Sequence, residues 1–178
     1  MRKEIFGIFS IFLLLVVSIS LFSFHPDDPS PFHPGQNLPV HNLFGWIGAQ
    51  LSGFLFGMSG KGVLWIPFVL VTALIPIFQK KSWLISARIL LGGILLILTT
   101  SGFLTIFDPG MSTGRLYAAP GGIIGTHATV FLLYYTGLPG TLIVLTVLGL
   151  TGLVLATGIT LKTFGWLAGR FSLGKARS

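Results

Sequence analysis

Three histidines stand eight residues apart, His25, His33 and His41, with Asp27 and Asp28 just after the first. Imidazole and carboxylate are zinc ligands, so metal binding is the first chemistry to weigh. The spacing matches no short ligand motif. The stretch that carries these residues, HPDDPSPFHPGQNLPVH, holds five prolines, two acids and no Lys or Arg. Proline fixes φ and removes a donor, and Asp favours turns, so this reads as an extended, solvated loop. A second constellation, Gly169-Arg-Phe-Ser-Leu-Gly174-Lys175, has the spacing of a phosphate-binding loop. Ala176 follows where a Mg²⁺-holding hydroxyl is needed, and no buried strand precedes it, so the match reads as chance. The acids number four, Glu4, Asp27, Asp28 and Asp108, and none lies inside an apolar run. A proton relay built on intramembrane carboxylates is therefore excluded. His127 reads as a packed or interfacial side chain. Cysteine is absent, which removes thiolate nucleophiles, disulfides and Cys-ligated metals. No catalytic, cofactor-binding or metal residue is assigned, and no cofactor is expected.

The elements that would position such residues are membrane elements. Of 178 residues, 52% are hydrophobic and 8% charged, with a mean hydropathy of +0.90. An ordinary soluble domain carries about 25% charged residues. The chain is read as an all-α integral membrane protein whose main partner is lipid. Its net charge of +7 reflects basic residues gathered on the cytoplasmic side rather than a nucleic-acid surface. Four spans are predicted, at about 5–24, 63–79, 87–107 and 140–161. Residues 5–24 run without a charge for a length of about 30 Å, enough for a bilayer core. No small-x-small cleavage site precedes His25, so an uncleaved span fits better than a signal peptide. The Trp and Tyr side chains fit interfacial belts.

Two further helices are predicted, at about 42–60 and 121–137. In the first, Gly45, Gly48, Ala49 and Ser52 share one face and bulky residues the other. The pattern returns 77 residues later with Gly122, Gly125, Thr126 and Thr129, and Gly60 is matched by Gly137. Small faces let helices approach closely, so both are expected to pack against neighbours while lying at the outer interface or dipping part-way. Gly152, Ala156 and Thr160 form a similar stripe in the last span. Span, loop with Asp-Pro, small-faced helix and returning span occur twice, as two repeated hairpin units. A shared grammar of membrane hairpins would give the same pattern.

Basic residues set the topology. Arg2 and Lys3 precede the first span, and Lys80, Lys81 and Arg88 surround the central turn. Lys162, Arg170, Lys175 and Arg177 mark 162–178 as a basic cytoplasmic tail. Four spans with both termini inside put every basic cluster except Lys61 and Arg115 in the cytoplasm. Six spans would place the Lys80–Arg88 turn outside and demand tight reversals at Gly60–Gly62 and Gly137–Gly140.

The run SLFSFHPDDPSPF and the pattern Asn42-x-x-Gly45-x-x-Gly48-Ala49, followed by Leu55-Phe56, carry a resemblance. So does Gly121-Gly122-x-x-Gly125 with Gly137-x-x-Gly140. Together, over about residues 5–161, these resemble the N-terminal membrane domain of FtsK/SpoIIIE-type DNA translocases. The resemblance implies four spans, cytoplasmic termini and a place at the bacterial division septum. There the family's domain anchors a hexameric motor and contacts other division proteins. It also implies homo-oligomerisation, with DNA reached only indirectly through a motor. The family's long linker, RecA-like ATPase and winged helix have no counterpart among these residues, so ATP hydrolysis is not carried over. The chain reads as a separate membrane subunit or a fragment. A non-enzymatic anchor and assembly module is the leading reading. An oligomeric pore for DNA or solute is the alternative, and a small transporter a third. The spans lack the polar stripes of a permeation path, which favours the anchor.

Overall fold

A computed structural model describes residues 2–35, 39–79, 81–107 and 119–158. It is all-helical: α1 (Arg2–Phe22), α2 (Gly45–Ser59), a 3₁₀ turn (Gly60–Leu64), α3 (Trp65–Phe78), α4 (Trp83–Phe107) and α5 (Gly122–Thr157). An isolated bridge between Ser30 and His33 is the sole β pairing among the described residues. Three helical stretches are long and apolar enough to cross a membrane: Gly45–Phe78, Trp83–Phe107 and Gly122–Thr157. Gly7–Phe22 is a shorter apolar helix. Large apolar side chains such as Phe12, Phe68, Ile94 and Ile143 stand exposed, while Ser20, Ser52, Thr99, Ser101 and Thr129 are buried. That inversion suits a chain solvated by hydrocarbon, where packing rather than apolar burial joins the helices.

α4 is the element on which α3, the 3₁₀ turn and α5 rest, while α1 packs on α2 and α3. On one side, Val69 and Ala73 of α3 meet Ile89 in a small core flanked by Trp65 and Ile85. Gly93 leaves room for the Val69 side chain, and Ser86 Oγ donates to Ala73 O at 2.9 Å, in the turn that Pro76 disrupts. On the other side, a Cβ added at Gly92 would meet Ala156 N at 2.5 Å and Gly152 O at 2.7 Å. Gly152 and Ala156 lie against the α4 backbone there. Of the small residues of α4, Gly92 lies opposite that pair, whereas Gly93 faces Val69 of α3 and Gly102 faces Leu145 and Thr129. Thr160 lies outside the described residues.

The 36 residues of α5 are not one straight rod. Gly137 sits inside it at φ 64°, ψ 178°, two residues before Pro139. A Cβ placed on Gly102 would lie 2.9 Å from Leu145 and 3.1 Å from Thr129. Those two residues lie eight positions either side of Gly137, and a straight helix would separate them by about 24 Å. The two arms, 122–136 and 138–157, therefore fold back on one another at Gly137. The second arm then runs antiparallel along α4, with Gly149 near Thr99 and Gly152 near Leu95.

The observed limits refine the expected ones. α2 begins at Gly45 rather than Asn42, and α4 begins at Trp83 rather than near residue 87. Ser82 Oγ accepts from Leu84 N at 3.3 Å beside that start. The Asp108-Pro-Gly turn, Lys80, Arg115 and the tail 162–178 with its phosphate-loop lookalike lie outside the described residues.

Candidate functional site

Two constellations join the helices, and both sit at the end of the molecule where α1 emerges and α2 meets the 3₁₀ turn. The first is a polar clasp. Asp28, 3% exposed, accepts backbone donors from His41 (3.0 Å, Oδ1) and Asn42 (2.9 Å, Oδ2). Asn42, 4% exposed, donates from Nδ2 to Ser20 O (2.9 Å), Ser23 O (3.2 Å) and Ser52 Oγ (3.3 Å). Its Oδ1 accepts from Phe44 N at 3.0 Å. One carboxylate and one amide thus tie the exit of α1, the proline-rich loop and α2 together. Buried polar groups are favourable only when paired in this way. Apart from the Asn42–Phe44 bond, the spacings within the clasp run from 10 to 22 residues, so no local pattern announces it. The signal available was an Asp in a proline-rich loop and an Asn just ahead of a helix.

The clasp explains the small face of α2. Gly48, Ala49, Ser52, Gly53 and Gly57 are buried. At Gly48 an added Cβ would collide with Asn42 Oδ1 and stand 2.7 Å from Phe44 Cβ. At Gly53 it would strike the Ser30 side chain, and at Gly57 the Phe32 ring. The α2 face thus receives side chains of its own preceding loop, where the sequence reading expected a neighbouring backbone. Gly45 behaves differently again. It is exposed, with φ 63° and nothing within 4 Å of a Cβ. Its smallness serves the turn into the helix.

The second constellation is a backbone crossing over Ser101 of α4. Ser101 is fully buried, and its Oγ donates to Ser59 O. Gly62 rests on it from one side, 2.6 Å from Ile97 O by the Cβ measure, and Gly125 from the other, 2.6 Å from Ser101 Cβ. Between them Lys61 N donates to Pro120 O at 2.9 Å, and Gly60 and Gly122 lie backbone to backbone. Gly122 and Gly125 thus each lie close to a neighbouring backbone. Thr129 is buried with its hydroxyl 3.5 Å from Gly102 O, whereas buried Thr126 Oγ1 has no hydrogen-bond partner among the described residues. The two small-faced helices also share backbone form. Each opens on a left-handed glycine, Gly45 or Gly122, and closes on another fifteen residues later, Gly60 or Gly137.

A cavity of about 620 Å³ opens between the loop and the crossing, walled by Phe24 and Phe56 and edged by Asp27, His33 and Lys61. Phe24 and Phe56 stack at 4.2 Å. His127 is exposed on α5, its Nδ1 2.8 Å from Ile123 O. Lys81 and Arg88 are exposed near the start of α4.

Comparison with known proteins gives these features a family. The family model described as the 4TM region of DNA translocase FtsK/SpoIIIE matches residues 1–168. Among curated relatives, the DNA translocase FtsK of Vibrio parahaemolyticus is 31% identical over 94% of this chain and 17% of its own length. That of Azospirillum brasilense is 33% identical over 86% of this chain and 25% of its own. That of Vibrio vulnificus is 29% identical over 95% and 18%. The chain therefore spans about a sixth to a quarter of these relatives. No solved structure matches it. The matched region fills nearly all of the 178 residues, so they contain no motor ATPase domain. With that model matched over residues 1–168, the chain belongs to the family of the 4TM region of FtsK/SpoIIIE DNA translocases.

Proposed function

We propose that the chain is the membrane anchor and assembly module of a DNA translocase system at the bacterial division septum. It acts in cell division and chromosome partition without an enzymatic activity of its own. The observation that carries the reading is the family match over residues 1–168, on a fold made of apolar helices joined by small residues. The helix-packing residues Gly48, Ala49, Ser52, Gly122, Gly125, Thr126, Thr129, Gly152 and Ala156 give the module a rigid shape, and a homo-oligomer forms through its lipid-facing surface. Other division proteins are its partners, and DNA is reached only through a motor. The chain spans the cytoplasmic membrane four times with both termini inside. Arg2, Lys3, Lys80, Lys81, Arg88, Lys162, Arg170, Lys175 and Arg177 hold that orientation. The helices at 45–59 and 122–136 lie at or dip into the outer interface. The buried hydroxyls support an anchor over a pore, since Ser20, Ser52, Thr99 and Thr141 donate to carbonyls of their own helix rather than line a path.

A fluorescent fusion of the chain, expressed in dividing bacteria, tests this. Enrichment at the septum that persists without a linked motor domain is expected. Uniform labelling of the envelope in cells with formed septa would refute it.

A further inference from the structure

We infer that His25, Asp28 and His41 form a binding site for a zinc-like divalent cation that closes the proline-rich loop across its two ends. One ligand atom from each of the three lies within 4.8 Å of the others. The imidazoles of His25 and His41 stack with ring centroids 5.0 Å apart, and His41 Nδ1 stands 3.7 Å from Asp28 Oδ1. The sequence spacing gave no hint of this, because the chain between them doubles back and brings residues sixteen apart into contact.

The fold also selects among the five candidate groups. His33 is engaged at both ring nitrogens, Nε2 with Pro26 O at 2.6 Å and Nδ1 with Gly35 N at 2.7 Å. It shapes the loop and is not a ligand. Asp27 is exposed, with Oδ2 3.9 Å from His25 Nδ1. His25 Nδ1 now accepts from Asp27 N at 3.3 Å, so ligation through Nε2 exchanges that bond for an Nδ1–H facing the Asp27 carboxylate, the pairing that orients metal-bound histidines. Asp28 is held in place by the backbone N–H groups of His41 and Asn42, one on each carboxylate oxygen.

Two imidazoles and a carboxylate suit Zn²⁺ or Co²⁺ and not Mg²⁺ or Ca²⁺, which prefer oxygen alone. In a tetrahedron with bonds of about 2.0–2.1 Å the ligand atoms stand about 3.4 Å apart. Reaching that from the present spacing calls for rotation of the half-buried His25 and exposed His41 imidazoles. The carboxylate is the fixed ligand, and water completes the coordination. Because Asp28 also anchors Asn42, the cation would stiffen the clasp that joins α1 to α2.

The test uses the whole chain in detergent, purified without a polyhistidine tag and stripped with EDTA. Co²⁺ should bind at one equivalent with the visible absorption of a tetrahedral nitrogen–oxygen site, and Zn²⁺ should displace it. Zn²⁺ at about 100 times its Kd should raise the melting temperature by about 5 °C, and Mg²⁺ should not. His25→Gln and His41→Gln should each weaken binding about tenfold or more, while His127→Gln should bind as wild type. Equal Zn²⁺ affinity in wild type and both loop variants would overturn the site. So would loss of binding in His127→Gln, or equal stabilisation by Mg²⁺. Should the loop variants melt lower in EDTA, the wild-type Co²⁺ spectrum decides alone: an octahedral, weakly absorbing complex refutes the proposal.

Discussion

Glycines that look alike along this chain differ in what they do, and substitutions should separate them. Gly48→Leu drives a side chain into Asn42, and Gly125→Leu drives one into Ser101. Each should lower stability by about 1–3 kcal/mol or more, read as an earlier melting transition in detergent. Gly45→Leu meets no neighbour, and its penalty is the left-handed φ alone, about 1–2 kcal/mol. Gly45→Asn should therefore recover much of the loss, because Asn tolerates that conformation, whereas Gly48→Asn should recover none. Melting temperatures that fail to distinguish Asn at the two positions would contradict these separate roles. Thr126 supplies a second test. Its buried hydroxyl has no partner among the described residues, and an unpaired buried polar group costs about 1–3 kcal/mol. Thr126→Val keeps the shape and removes the hydroxyl, so the variant should melt at or above wild type. A clear loss of stability would mean the hydroxyl is bonded in the native assembly.

Among the elements, α5 makes the strongest claim, that it bends back at Gly137. The chain lacks cysteine, so a pair introduced as Thr129→Cys and Leu145→Cys reports alone. A short bifunctional thiol reagent should link them within one molecule, since both side chains touch Gly102. A straight helix would hold them about 24 Å apart, beyond its reach. Gly137→Ala should slow or abolish the link, because φ 64° with ψ 178° is a region open essentially to glycine. Efficient linking in that variant would show the bend to be set by Pro139 and packing instead. Left-handed glycines stand at the two ends of both small-faced helices, and the two faces receive different neighbours.

For the molecule as a whole, orientation is the property to measure. A reporter inserted at Gly35 should score external, and reporters at Lys81 and after Arg177 should score cytoplasmic. Each basic residue near an anionic surface contributes about 1 kcal/mol, so the Lys80–Arg88 cluster is a strong determinant. A cytoplasmic signal at Gly35 would contradict four spans with internal termini. Purified chain should also show no ATP turnover, and Lys175→Ala should change nothing in such an assay. Turnover that tracks Lys175 would reverse the dismissal of the phosphate-loop spacing.

The residues alone settled the solvent and the class of fold. Hydropathy and the scarcity of charge demand a membrane, and backbone groups in hydrocarbon must bond internally, which leaves apolar helices here. Small-residue periodicity also pointed to faces of α2 and of both arms of α5 for packing, and Gly48, Ala49, Ser52, Gly122, Gly125, Thr126, Thr129, Gly152 and Ala156 are buried while Gly45 is exposed. It could not say against what, because a stripe of glycines is equally compatible with a neighbouring backbone, a loop side chain or a turn. That was decided by tertiary contacts: Asn42 and Phe32 against α2, and Ser101 beneath Gly62 and Gly125. The same holds for the loop. Its composition spoke for a solvated, proline-rich segment, and residue spacing spoke against a metal. Only the doubling back of that segment buries Asp28 and carries His25 to His41, since hydrogen bonds between residues 14 to 22 apart leave no periodic trace in the chain.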